Sequence, residues 1–189
     1  MAKPCTPMYN NLQENIEPGL LGGLLPCEWF AVRTRPRHEK VVTSQLENSG
    51  IETFLPLCPQ VRSWSDRRKI IDFPLFPGYV FVWTSPATQT RARIFQVKGI
   101  LGFVGPNNQA TPIPSHQIEA VRSLLKAQIE CRPHPYLAAG QRVRIQNGAL
   151  QGLEGILVRI ANDHSLVVSV DLINRAVSIR LEGYEVDPL

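Results

Sequence analysis

The hydrophobic positions of residues 29–83 follow the two periods that distinguish strands from helices. Trp29–Arg35 has the β-rich composition of a strand. Residues 37–48 place their apolar side chains mostly along one stripe and are followed by Gly50, a pattern that predicts a helix with a glycine stop. Tyr79–Trp83 is apolar at every position, which predicts a central strand buried on both faces.

Between and after these elements, the sequence predicts a mostly antiparallel sheet. Leu57–Phe73 alternates apolar and polar residues around a basic centre, as expected for a long β-hairpin with a projecting tip. The other predicted elements are strands over Ile51–Leu55 and Ile100–Val104, a helix over Pro86–Val97 and a helix capped by Ser115. Helices interspersed with such a sheet form an α+β sandwich of about 100 residues.

The last third of the chain has apolar residues at every second position. Short runs of this kind with turns between them predict a small all-β barrel over residues 140–189. The runs are Val143/Ile145, Ile156/Val158/Ile160, Leu166/Val168/Val170 and Val177/Ile179/Leu181. Residues 128–139 lose this periodicity and contain two prolines, so we predict an extended linker between the barrel and a first domain at residues 29–127.

Composition places the chain among soluble globular proteins, because 43% of its 189 residues are hydrophobic and 19% are charged. Residues 1–28 lack periodicity and are predicted to be a disordered N-terminal tail. No stretch reaches the roughly 18 uncharged apolar residues of a membrane span, so we expect a cytoplasmic protein. The four cysteines lack the spacing of a zinc or redox pair, and we expect free thiols.

The net charge of +4 is distributed unevenly along the chain. Residues 29–128 carry 13 basic and six acidic residues, whereas the segments before and after them are slightly acidic. Basic charge confined to one domain indicates an anionic partner for that domain. Two groups could supply phosphate contacts and one stacking surface for nucleic acid, and a solvated charged face is the alternative. The groups are Arg33, Arg35, Arg37 and Lys40, and Arg62, Arg67, Arg68 and Lys69 with Trp64.

A dense aromatic group surrounds the predicted central strand. Alternation puts Tyr79, Phe81 and Trp83 on one face of this strand, with Phe76 near its entry. Core packing is the usual explanation for such a group. An exposed groove for a partner protein is the alternative.

Catalysis would require converging ionisable groups, and no nucleophile, acid–base or metal constellation stands out in the sequence. The glycines at positions 99, 102 and 105 lack the strand-to-helix context of a phosphate loop. We therefore expect a binding protein without catalytic residues, metal ligands or cofactors.

Three ordered motifs stand out in the first predicted domain: WFAV at residues 29–32, LFPGYVFV at residues 75–82 and KGILGFVG at residues 98–105. In these motifs the sequence resembles the N-terminal domain of the NusG family of transcription elongation factors. Residues 140–157 look like a KOW motif, the small barrel that follows this domain in the family.

Within the family, segments 33–40 and 62–69 are more similar to the specialised paralogues of the RfaH and UpxY type than to housekeeping NusG. Those paralogues act on particular operons, often for surface polysaccharides, and suppress pausing and termination. The resemblance implies a non-enzymatic, monomeric clamp in which Phe76, Tyr79 and Phe81 bind the clamp helices of the largest RNA polymerase subunit. The basic surface would face the non-template DNA.

The barrel departs from the family pattern at Ala149–Leu150 and at Gly152. Its partner in the family is the termination factor Rho or a small-subunit ribosomal protein, and here that contact would involve Leu150 and Leu153. We expect residues 140–187 to form strands and not the helical hairpin of the fold-switching branch, because β-branched residues alternate there. The alternatives are housekeeping NusG and an RNA-binding ribosomal or assembly protein with a KOW barrel.

Overall fold

The computed structural model describes residues 26–63, 68–85, 88–129, 131–134, 140–160 and 163–189. The chain divides into two compact units. Within the described residues, the first unit comprises residues 26–54 together with Gly78–Pro112, and the second comprises Leu55–Pro77 together with Ile113–Leu189. None of the helices in the described ranges is long and apolar enough to cross a membrane.

The predicted strands and helices occur in the predicted succession, the structure has further short strands at Pro112–Ile113, Arg132–His134 and Val186–Pro188, and the predicted α+β class is confirmed. The α-helices of the described residues are α1 (Glu39–Asn48), α2 (Thr88–Phe95) and α3 (Ser115–Lys126). The strands are β1 (Glu28–Thr34), β2 (Glu52–Phe54), β3 (Leu57–Ser63), β4 (Arg68–Pro74), β5 (Tyr79–Thr84), β6 (Ile100–Phe103), β7 (Pro112–Ile113), β8 (Arg132–His134), β9 (Gln141–Ile145), β10 (Glu154–Ile160), β11 (Asp163–Val170), β12 (Arg175–Arg180) and β13 (Val186–Pro188).

The first unit is organised around an antiparallel sheet in the order β2-β5-β1-β6, and β7 also pairs with β1. Strand β5 lies in the middle of the sheet, and four of its six residues are buried, as its unbroken apolar run predicts. Val42 and Leu46 on α1 are fully buried, and α1 packs against β2 and β5. The helix begins at Glu39, two residues later than predicted, because Arg37 has a φ of 64° and stands outside the helical region.

The second unit contains the β3–β4 hairpin, helix α3 and a six-stranded antiparallel sheet in the order β13-β9-β10-β11-β12-β8. Leu166, Val168 and Val177 of β11 and β12 are at most 3% exposed, and the intervening Val167 and Ala176 are equally buried, so both faces of these strands are covered. The segment 140–187 thus forms strands in its described parts, as we predicted, and not a helical hairpin.

Two strands extend beyond the predicted domain boundaries. Arg132–His134, inside the predicted linker 128–139, forms β8 and pairs with β12, so the sheet takes in part of that segment. Residues 1–25 of the predicted tail lie outside the described residues, and Glu28 already belongs to β1. Whether residues 29–127 and 140–189 are independent domains stays a prediction.

Candidate binding surfaces

A row of aromatic rings lies on one face of the sheet in the first unit. The strand register places Trp29 opposite Trp83, with ring centroids 5.3 Å apart, and Phe54 opposite Phe81, with centroids 6.1 Å apart. Trp29 also meets Phe54 edge to face at 6.4 Å. We call these four residues the aromatic row. Tyr79 shares the face of Phe81 and Trp83, because the side chains of a strand alternate.

The three residues of the predicted aromatic groove differ in burial. Phe76 is 2% exposed and Phe81 is fully buried, and their contact with polymerase stays a prediction. Tyr79 is half-buried and remains available for contact. Phe81 is buried because β5 has a strand on each side and the Phe81 ring packs against Phe54, and large rings in such contacts lose most of their exposed area.

The structure adds two half-buried aromatic residues that we did not select as site residues, Phe54 and Trp83. The alternation of β5 already placed Trp83 beside Phe81. Phe54 could not be found in this way, because its three-residue strand is too short to show a period and only its register with β5 aligns it.

The turn before Tyr79 is tied to the start of α1. Gly78 donates its backbone N–H to Oε1 of Glu39 at 2.7 Å, and its carbonyl accepts the N–H of Thr34 at 2.8 Å. Gly78 has a φ of 84°, which a residue without a side chain adopts at little cost. The Glu39 side chain is buried at 5% exposure.

The four basic residues predicted before and within α1 are all exposed, but they occupy two places. Arg33 lies directly opposite Tyr79 in the β1–β5 register, and so belongs to the aromatic face of the sheet. Arg35, Arg37 and Lys40 belong to the connection between β1 and α1 and to the first turn of the helix.

A further exposed cation joins this second group. The backbone N–H of Arg35 donates to the carbonyl of Gly99 at 2.8 Å, which brings Lys98 next to the connection. Sequence analysis missed Lys98, because the bond joins residues 64 positions apart in the sequence and no local pattern signals it. We call Arg35, Arg37, Lys40 and Lys98 the basic segment.

The basic hairpin predicted at residues 62–69 is only partly described. Arg62 and Ser63 pair with Lys69 and Arg68 in the β3–β4 register. Trp64 and Arg67 lie outside the described residues. The role of this group in nucleic-acid binding stays a prediction.

The predicted contact residues of the barrel are buried. Leu150 is 1% exposed and Leu153 is 7% exposed, so both pack into the second unit, and their contact with a barrel partner stays a prediction. Beside them, Glu154 accepts hydrogen bonds from Nε and Nη2 of Arg144 at 3.0 and 2.5 Å, and Arg142 lies 3.5 Å away. The hydrogen bonds from Arg144 hold the pKa of Glu154 below its usual value.

Among the described residues, no group of three or more His, Cys, Asp or Glu is arranged to hold a metal ion. Cys58 and Cys131 are both buried, and Sγ of Cys58 lies 3.8 Å from the carbonyl oxygen of Cys131. The described residues thus provide two candidate contact surfaces, one aromatic around Tyr79 and one cationic at the basic segment.

The sequence matches a known protein family over half of its length. The family model "Transcription termination factor nusG" matches residues 27–122, just over half of the chain. The chain is 26% identical over 152 residues to the transcription termination/antitermination protein NusG of Buchnera aphidicola from Acyrthosiphon pisum, covering 79% of this chain and 84% of that protein. The NusG protein of Lactococcus lactis is also 26% identical, over 172 residues, covering 85% of this chain and 92% of that protein.

A solved structure has a similar fold. The structure "Domain interaction in Thermotoga maritima NusG" superimposes with a TM-score of 0.50 at 21% identity, covering 84% of this chain and 96% of that one. At this identity the likeness concerns the fold alone, whereas the family model matches the sequence of most of the predicted first domain. The chain is therefore a member of the NusG family of bacterial transcription termination and antitermination factors, and it is not an enzyme.

Proposed function

We propose that this protein is an elongation and antitermination factor that binds RNA polymerase in the cytoplasm and suppresses pausing or termination. Membership of the NusG family supports the general activity. The adjacency of Arg33 and Tyr79 carries the proposal, because an exposed cation directly opposite a half-buried tyrosine provides the mixed contact typical of protein interface hot spots.

In this proposal, Tyr79 and Arg33 contact the clamp helices of the largest polymerase subunit. Phe81, two residues further along β5 on the same face, belongs to the aromatic row. A factor that bridges the polymerase cleft would disfavour the open, paused state, and its effect is limited by the difference between its affinities for the two states.

The basic segment would face the non-template DNA. Its four cations are exposed, and no described element reads base edges, so this contact would be electrostatic and largely independent of DNA sequence. Added salt would weaken it.

We further propose that the protein is a specialised paralogue serving particular operons, such as those for surface polysaccharides. The similarity of segments 33–40 and 62–69 to the RfaH and UpxY type supports this assignment. Housekeeping NusG is the second candidate, since the NusG proteins of Buchnera and Lactococcus align over most of their length. An RNA-binding ribosomal protein is disfavoured, because residues 129–189 carry six basic and seven acidic residues.

The polymerase contact is tested by Tyr79→Ala in a binding assay with purified bacterial RNA polymerase. We expect a loss of about 2 kcal/mol, or roughly 30-fold in affinity, as for an aromatic interface anchor. Phe95→Ala is the matched control, because Phe95 is 48% exposed and packs on Phe103, on the opposite face of the sheet. A Tyr79 variant that stays folded and binds like the control would refute the contact.

Operon specificity is tested by mapping the chromosomal distribution of the tagged protein. A specialised paralogue would associate with polymerase on one or a few operons. Association with most transcribed genes would instead identify the protein as housekeeping NusG.

A further inference from the structure

We infer that Glu39 is a positioning residue whose carboxylate holds the turn ending at Gly78 and thereby sets how Tyr79 is presented to the polymerase. This inference rests on the proposed function, which supplies the role of Tyr79. It concerns a side chain that neither the composition nor the family resemblance singles out.

The peptide groups of Gly78 are held from two sides. Its N–H donates to Glu39 Oε1 at 2.7 Å, and its carbonyl accepts from the backbone of Thr34 at 2.8 Å. Thr34 ends β1, so the second bond extends the β1–β5 pairing by one residue beyond Arg33 and Tyr79. Only the first of these two bonds depends on a side chain. Substitution of Glu39 can therefore remove one bond to Gly78 and leave the backbone bond to Thr34 in place.

The chemistry of the site favours a carboxylate there. Burial of a charged group is costly unless hydrogen bonds and nearby charge compensate for it. Here the first turn of α1 directs its positive end toward Glu39, and a charge-assisted hydrogen bond from an amide is stronger than a neutral one. An apolar side chain would avoid the cost of burial but would leave the Gly78 amide without this acceptor.

Glu39 also joins the two proposed binding surfaces. Lys40 follows it directly in α1, and the connection before the helix carries Arg35, whose amide is bonded to Gly99. Gly99 lies against the His38 side chain, where an added Cβ would come within 3.3 Å. Gly99 packs against the start of α1 and limits its movement. The hydrogen bond from Gly78 to Glu39 therefore fixes the turn that precedes Tyr79 relative to α1.

The test compares Glu39→Gln, Glu39→Asp and Glu39→Ala in the full-length protein. Glutamine keeps an acceptor oxygen at the same reach without the charge, and aspartate keeps the charge but is one methylene too short. Glu47→Ala is the matched control, because Glu47 is also on α1 and its carboxylate accepts the exposed Thr53 hydroxyl at 2.8 Å. The readouts are polymerase affinity, the NMR shift and hydrogen exchange of the Gly78 amide, and thermal unfolding.

We expect Glu39→Ala and Glu39→Asp to weaken polymerase binding about tenfold and to accelerate exchange of the Gly78 amide, because this partly buried donor loses its acceptor. Glu39→Gln should stay within about threefold of the wild type, and Glu47→Ala should be unchanged. If the alanine variant fails to fold, the comparison of aspartate with glutamine decides the question.

Two results would overturn the inference while leaving the proposed function intact. In the first, the wild type binds polymerase and folded Glu39 variants bind equally well. In the second, glutamine is the damaging replacement and aspartate is harmless, which would assign the effect to charge. A wild-type protein that does not bind polymerase would instead refute the proposed function, and with it the role assigned to the turn.

Discussion

Gln117 and Asp171 hydrogen-bond each other twice across the second unit. Nε2 of Gln117 donates to Oδ2 of Asp171 at 2.8 Å, and the backbone N–H of Asp171 donates to Oε1 of Gln117 at 3.1 Å. Gln117 lies on α3, and Asp171 directly follows β11. The pair therefore fastens the helix to the end of a strand that it also contacts through packing.

Replacing Gln117 by Ala should lower the free energy of unfolding by about 1–2 kcal/mol, because it removes both bonds and leaves a backbone amide without its acceptor. Denaturant titration measures this. Gln141→Ala, at an exposed position of β9, is the control and should stay within about 0.5 kcal/mol of the wild type. Equal stabilities of the two variants would show that the two hydrogen bonds between Gln117 and Asp171 contribute nothing to stability.

Replacing Arg37 by Gly should separate folding from nucleic-acid binding. Arg37 has a φ of 64°, which glycine adopts without the steric cost of a side chain, so we expect the stability to be preserved or raised by up to about 1 kcal/mol. The same change removes one cation of the basic segment. The slope of log affinity for single-stranded DNA against log salt should fall by roughly 0.7, the value for one phosphate contact.

Fluorescence anisotropy at several salt concentrations measures this slope. A variant with unchanged salt dependence would assign Arg37 to the solvated charged face that we considered as the alternative. Thermal unfolding of the same sample controls for misfolding.

Replacing Gly155 by Ala should destabilise the second unit by more than about 2 kcal/mol. An added Cβ would lie 2.6 Å from the carbonyl oxygen of Val167 and 2.8 Å from the side chain of Leu166, so the paired strands would have to separate. Gly183→Ala is the comparison, because Gly183 has a φ of 77° and open space around its Cα. That change should cost about 1 kcal/mol for backbone strain alone. Similar losses in the two variants would contradict the close approach.

The Glu154–Arg144 ion pair should make a small, pH-dependent contribution to stability. The pKa of Glu154 is lowered in the folded protein, so its contribution is present above the pKa of the unfolded chain and is lost as pH falls through the folded pKa. The stability difference between wild type and Glu154→Gln should therefore shrink from about pH 6 to about pH 3.

The size of this difference should stay below about 1 kcal/mol, because the Glu154 side chain is 38% exposed and solvent screens the pair. Added salt should reduce it at neutral pH. A difference that grows as the solution is acidified would contradict the assigned direction of the pKa shift.

The sequence by itself determined the succession of strands and helices, because periodicity and turn residues act over a few neighbouring positions. The apolar run of β5 identified a central strand, and its alternation placed Tyr79, Phe81 and Trp83 on one face. The motif at residues 75–82 likewise indicated the family that the comparisons confirm.

Only the tertiary structure decided which members of that face stay accessible and what holds them in place. Burial of Phe81 depends on Phe54 in a neighbouring strand, and the anchorage of Gly78 depends on Glu39, 39 residues earlier in the chain. The position of Lys98 near Arg35 depends on a single backbone hydrogen bond to Gly99. Such contacts arise where distant segments meet, and no local pattern of residue types encodes them.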